Sequence, residues 1–193
     1  MSWAQKAEEL MRQSPCNVSL RNIICNAPDE WKVKAAEQLM QQDPSNGDLH
    51  CIICYAPDKW KVRAAEQLME RNPSNINLCN IIYHAPDEWK VRAAEQLMGQ
   101  KPSNEDLRCI VYRAPDNEQV TKAAEQLMQQ SPSNEDLRCI IYRAPDEQIA
   151  KAAERLMQQS PSIEDLVCII CQAPEKWKEE ATALLKDRYG VIV

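Results

Sequence analysis

Proline returns at fixed intervals along this chain. Pro15, Pro44, Pro73, Pro102, Pro132 and Pro161 follow one another every 29 residues, with a single step of 30 between Pro102 and Pro132. Two further markers keep the same period. "AAEQLM" begins at Ala35, Ala64, Ala93 and Ala123 and returns as "AAERLM" at Ala152. "APD" begins at Ala27, Ala56, Ala85, Ala114 and Ala144 and becomes "APE" at Ala173. Self-similarity at a period of roughly 20–50 residues marks an array of stacked supersecondary units. Six units are present, preceded by a segment that matches the second half of a unit.

Each unit predicts two helices. Helix A starts after the "PSN" turn, where Ser45, Ser103 and Ser133 stand three residues before Asp48, Asp106 and Asp136. This is the pattern of a capping box with aspartate in place of glutamate, and the acidic residue suits the positive end of the helix. Helix A stops at the "AP" pair, because proline disfavours helical geometry in its predecessor. The aspartate that follows, such as Asp58 or Asp87, is expected to cap helix B, which then runs through stretches such as "EWKVRAAEQLMGQ" to the next proline turn. Neither helix alone buries enough surface, so neighbours must stack. The predicted fold is all-α, an α-solenoid of six tandem 29–30-residue two-helix repeats. One repeat domain is expected over 1–193: an N-terminal capping helix in 1–13, the repeats in 14–174, and a C-terminal capping helix and tail in 175–193. Trp31, Trp60, Trp89 and Trp177 share a column that Gln148 fills in the fifth repeat. The extra residue of repeat four lies near "DNEQVTK" and predicts a changed start of helix B there.

Composition agrees with helices. Three glycines and no phenylalanine in 193 residues disfavour compact β folds and phosphate-cradling loops. The net charge of −6 opposes wholesale attraction to nucleic acid or anionic membrane. No apolar run approaches the roughly twenty residues of a membrane span, and "MSWAQKAEELMRQ" does not read as a secretory signal. The nine cysteines are odd in number and recur at equivalent repeat positions, which fits reduced thiols and a cytoplasmic location.

The shared elements, a proline turn, "EDL", an apolar helix, "APDE" and "VR" followed by alanines, are all but complete in "NPSNINLCNIIYHAPDEWKVRAA". They make the units resemble the HEAT and armadillo class of helical solenoids, and most of all the short leucine-rich repeat variant. The units here are longer than that variant's, and its iron–sulfur module has no counterpart in the sequence. The resemblance implies macromolecular interaction and no particular partner.

On a helical wheel at about 100° per residue, with Leu137 at zero, Ile140, Ile141 and Ala144 fall within about 60° and form the core stripe. Arg138, Cys139, Tyr142 and Arg143 fall between about 100° and 240°, which predicts an exposed ridge along successive A helices. The core column Leu20, Leu49, Leu78, Leu107, Leu137 and Leu166 is invariant within the chain, whereas the ridge columns vary. The candidate partner-binding residues are Tyr83, His84, Arg108, Cys109, Tyr112, Arg113, Arg138, Cys139, Tyr142 and Arg143. Tyrosines serve as amphipathic anchors and arginines pair with carboxylates, so the ridge is expected to hold a protein or peptide, an acidic one matching it best.

Single-stranded RNA is the second reading, with bases stacked on tyrosine or arginine. A metal-binding protein or an engineered, consensus-like array are lesser alternatives. Soft ligands for a metal would come from His50, Cys51, Cys54, Cys79 and His84. Arginine neighbours would lower the pKa of Cys109 or Cys139. Nothing resembles a catalytic elbow, a phosphate loop or HExxH, so the chain reads as a non-enzyme that uses no cofactor.

Overall fold

The computed structural model describes residues 1–190, and every regular element in them is a helix. Thirteen helices follow one another among the described residues. After α1 (Trp3–Arg12) come the pairs α2 (Asn17–Asn26) and α3 (Asp29–Gln41), α4 (Asn46–Tyr55) and α5 (Asp58–Glu70), and α6 (Asn75–His84) and α7 (Asp87–Gly99). The remaining pairs are α8 (Asn104–Arg113) and α9 (Asn117–Gln129), α10 (Asn134–Arg143) and α11 (Asp146–Gln158), and α12 (Ile163–Gln172) and α13 (Glu175–Tyr189). The fold is the all-α solenoid that the repeats predict. The tail's last residues, 191–193, lie outside the described residues.

The helices group into two compact units, Met1–Leu97 and a second that begins at Met98. In the first, α2 packs on α3 and α4 on α5, while α4 lies between α2 and α6, and α3 beside α5. In the second, α8 packs on α9, α10 on α11 and α12 on α13, while α10 lies between α8 and α12 and α11 between α9 and α13. The core consists of the leucine and isoleucine columns of the A helices and the Ala–Ala–Leu columns of the B helices, for example Leu137, Ile140, Ile141, Ala152, Ala153 and Leu156, all fully buried.

The helix ends follow from side-chain chemistry. Ser45, Ser103, Ser133 and Ser162 are N-caps of complete capping boxes with Asp48, Asp106, Asp136 and Asp165. In the third repeat Asn77 replaces the aspartate, and Ser74 makes no side-chain cap bond. Asp58 and Asp87 do not cap helix B as the sequence predicts. They are the first helical residues of α5 and α7, and Pro57 is the N-cap residue of α5. Proline suits the edge of a helix because the N–H it lacks has no intrahelical partner there, and an aspartate in the first turn still meets the helix dipole favourably. The extra residue of repeat four changes this start as expected. There Asp116 is the N-cap, and its side chain accepts from the Glu118 N–H at 3.2 Å.

α1 and the B helices α3, α5, α7, α9 and α11 end the same way. Ser14, Asp43, Asn72, Lys101, Ser131 and Ser160 have φ between 49° and 58°, and each precedes one of the six prolines. A left-handed residue ends the helix by turning its next N–H out of register, and proline cannot resume it. The adjoining side chains secure the turn: Gln130 Nε2 donates to the Pro102 carbonyl at 3.3 Å, and Arg71 Nη1 to that of Pro44 at 2.5 Å.

Candidate functional site: the exposed ends of the A helices

The structure divides the predicted ridge into an interlocked half and an open half. Cys109 and Cys139, which the wheel exposes, are 4% and 0% exposed, and Cys51 and Cys168 are buried as well. The reason lies in the stacking. A wheel assigns one interior side to an isolated helix, but α10 is bounded by α11 and also by α8 and α12. A side chain opposite the core stripe in the middle of the helix is therefore covered by the preceding A helix. The Cys139 thiol reaches the Arg108 carbonyl at 4.0 Å.

Arg108 and Arg138 are likewise engaged within the protein. Arg108 Nη1 lies 2.9 Å from Glu135 Oε1 and 3.4 Å from Asp136 Oδ1. Arg138 Nη1 lies 2.5 Å from Asp165 Oδ1 and 3.8 Å from Glu164 Oε2. In the first unit Arg21 meets Asp48 in the same way, at 3.4 Å. The asparagine that opens each of these helices joins the pair: Asn17, Asn104 and Asn134 donate to Asp48, Asp136 and Asp165 at 3.1, 3.0 and 2.8 Å. Asp165 thus accepts from its own serine and from Asn134 and Arg138 of the preceding repeat, whereas Asp48 and Asp136 accept from their serine and the asparagine, with the arginine an ion-pair partner at 3.4 Å. Burial alone would raise the pKa of Asp48 and Asp165, but hydrogen bonds from Ser45 and Ser162 and the asparagine and arginine partners outweigh it and hold both below the ordinary carboxylate range. Sequence reasoning did not find this network, although its signal is present as Asn and Arg at fixed positions before the next Asp.

What stays open is the C-terminal end of the A helices. Tyr112 and Tyr142 are 38% and 49% exposed, and Arg113 and Arg143 beside them are exposed. The Tyr112 hydroxyl lies close enough to the Cys139 thiol, and the Tyr142 hydroxyl to the Cys168 thiol, for each to shift the other's titration. Each tyrosine thereby lies over the cysteine of the following repeat, with part of its ring in solvent. Next to Tyr142 a shallow groove is lined by Arg138, Tyr142, Ile163, Glu164 and Val167. Ile163 and Val167 are exposed apolar residues, and of these two Ile163 was missed from the sequence because it stands where the other repeats carry asparagine. In the first unit Tyr83 and His84 are exposed with their ring centroids 6.0 Å apart.

Burial decides the thiol chemistry. Loss of solvent pushes Cys139 up to about 12, although the Tyr112 hydroxyl and the Arg108 charge act in the opposite sense. The expectation that arginine would activate Cys139 is therefore corrected. Of the weak metal candidates, Cys54 Sγ lies 3.3 Å from His50 Nε2, while Cys51 Sγ faces Cys25 Sγ at 3.6 Å. Cys79 is half-buried and His84 exposed. Among the described residues no group of three or more His, Cys, Asp or Glu side chains converges to hold a metal ion. No described helix is long and apolar enough to cross a membrane.

The class that fold and surface define is the α-helical tandem-repeat protein. No protein-family model matches the chain, and no curated protein is significantly similar to it, so the likeness to leucine-rich repeat variants rests on the residues quoted above.

Proposed function

We propose that the chain is a non-enzymatic scaffold that binds a protein segment along the open ends of its A helices, with Tyr112, Arg113, Tyr142 and Arg143 at the centre in the second unit. The observation that carries the reading is the repeated exposure of tyrosine. The same position in successive A helices presents a half-exposed ring, Tyr112 and then Tyr142, beside the cysteine of the next repeat and flanked by an arginine. A half-exposed tyrosine ring offers a large amphipathic contact with few rotatable bonds to immobilise. The groove beside Tyr142 adds Ile163 and Val167, so the matching segment carries apolar side chains for the groove and carboxylates for Arg113 and Arg143.

The single-stranded RNA reading draws on the same tyrosines but is weaker. Arg108 and Arg138, which would meet phosphates, are already ion-paired to Glu135, Asp136, Glu164 and Asp165. The test is selection of a displayed peptide library on the intact protein, in parallel with a random RNA pool at moderate salt. Enriched peptides combining Asp or Glu with apolar residues support the reading. Replacing Tyr112, Tyr142 and Arg143 with alanine should weaken their binding at least tenfold without moving the thermal midpoint. An RNA motif enriched in place of peptides would overturn it, and so would peptide binding indifferent to the substitutions.

A further inference from the structure

We propose that Cys25 and Cys51 form an oxidation site, a dithiol shared by two repeats that a low-molecular-weight disulfide converts into a covalent link between α2 and α4. The two sulfurs lie 3.6 Å apart although the residues are 26 apart in sequence. Cys25 is exposed near the end of α2, and Cys51 is buried beneath it on α4. Such an arrangement places an accessible attacking thiol directly over a resolving one.

The contact is a product of the stacking and not of one side-chain rotamer. Cys25 occupies the position held by Tyr112 and Tyr142 in later repeats, and Cys51 the position of Cys139 and Cys168. Those tyrosines also lie against the cysteine of the next repeat. The same pair of positions therefore meets three times, and at the first of them both residues are cysteine. α2 and α4 are packed neighbours, and the sulfurs have to close from 3.6 Å to a bond of about 2.05 Å. Cys54, one turn further along α4, has its sulfur 3.3 Å from His50 Nε2.

The chemistry balances as two exchanges. The Cys25 thiolate attacks one sulfur of the small disulfide, whose S–S bond breaks and releases one thiolate, protonated by solvent. A mixed disulfide now sits on Cys25. Cys51 then loses its proton to solvent and attacks Cys25 Sγ, and the second small thiolate departs and is protonated. Two protein thiols are oxidised to one disulfide, and one small disulfide is reduced to two thiols. Burial and the adjacent Cys25 sulfur raise the pKa of Cys51, which leaves the exposed Cys25 as the attacking thiol and Cys51 as the resolving one.

Treating the full chain with oxidised glutathione and mapping its peptides without reduction tests this. The expected result is a transient glutathionyl group on Cys25, then a Cys25–Cys51 linked peptide and the loss of two free thiols from these positions. Cys54→Ser should form the same link. Cys25→Ser, a surface change that leaves the fold intact, should form none, and Cys51→Ala should stop at the mixed disulfide. A link through Cys54 would overturn the proposal. So would wild-type protein that retains stable adducts on its exposed cysteines with no link, or that links only between molecules.

Discussion

Asn134 Nδ2 donates to Asp165 Oδ2 at 2.8 Å, so the side chain that opens one A helix holds the capping carboxylate of the next. The same carboxylate accepts from Ser162 and from Arg138 and is almost wholly buried. Asp165→Ala removes all of these acceptors and leaves Arg138 without its closest partner. The expected loss is about 2–4 kcal/mol in urea unfolding. A double-mutant cycle of Asn134→Ala with Asp165→Asn should return a coupling of about 1 kcal/mol; additive effects would show that the bond carries no stability.

Acid should weaken the joints. The folded-state pKa of Asp48 and Asp165 is depressed. Their contribution is therefore complete above the unfolded value of about 3.9 and is lost as pH falls through the lower folded values. The urea midpoint should hold steady from neutral pH to about 5 and fall steeply below about 4. Asp165→Asn, tested over the same range, should start less stable and fall less.

Trp60 is buried with Arg63 over its ring at 5.0 Å, whereas Trp31 in the same column is only half-buried. Trp60→Ala should cost about 3–5 kcal/mol and Trp31→Ala clearly less. Arg63→Ala should cost about 0.5–1 kcal/mol through the lost cation–π contact. Chemical denaturation of the three variants ranks them.

Lys101 is exposed and holds φ at 55° ahead of Pro102. A side chain there costs about 1–2 kcal/mol of backbone strain, partly offset by the larger unfolded entropy of glycine. Lys101→Gly should raise stability by about 0.5–1 kcal/mol. A lower thermal midpoint would show that the lysine makes a contact that matters more than the strain.

The thiols should separate by reactivity. Cys16 is the exposed N-cap residue of α2, and its pKa is lowered by hydrogen bonds from the Ser19 side chain and backbone. It should be alkylated at a lower pH than Cys139, which should stay unmodified at pH values where Cys16 reacts fully. Timed iodoacetamide labelling with peptide mass spectrometry reads both.

The sequence stated the period, the serine–aspartate caps, the leucine and alanine columns and the altered start of α9, because each depends on residues within one unit. It misplaced Cys139, Arg108 and Arg138 because their surroundings come from the adjacent repeat. A wheel describes one helix against one core; in a stack the flanks of α10 are covered by its neighbours as well. Tyr142 and Arg143 stayed legible because they lie at the end of the helix, beyond the reach of that cover. Whether Asp58 stood at the cap or one residue inside it turned on Pro57, whose fixed geometry serves the helix edge without a side-chain acceptor.

The arginine–aspartate joints give the repeats an order. Arg21, Arg108 and Arg138 each precede a repeat whose capping residue is aspartate, whereas His50 stands in that position ahead of Asn77. At these three seams one repeat carries a plug that fits a socket in the repeat after it. Moving the fifth repeat ahead of the third would set Arg138 against Asn77 and His50 against Asp136, while Asp165 would meet Arg108. Units that look interchangeable by eye are keyed at their arginine–aspartate seams, and carrying such a unit across the His50–Asn77 seam mismatches two of them.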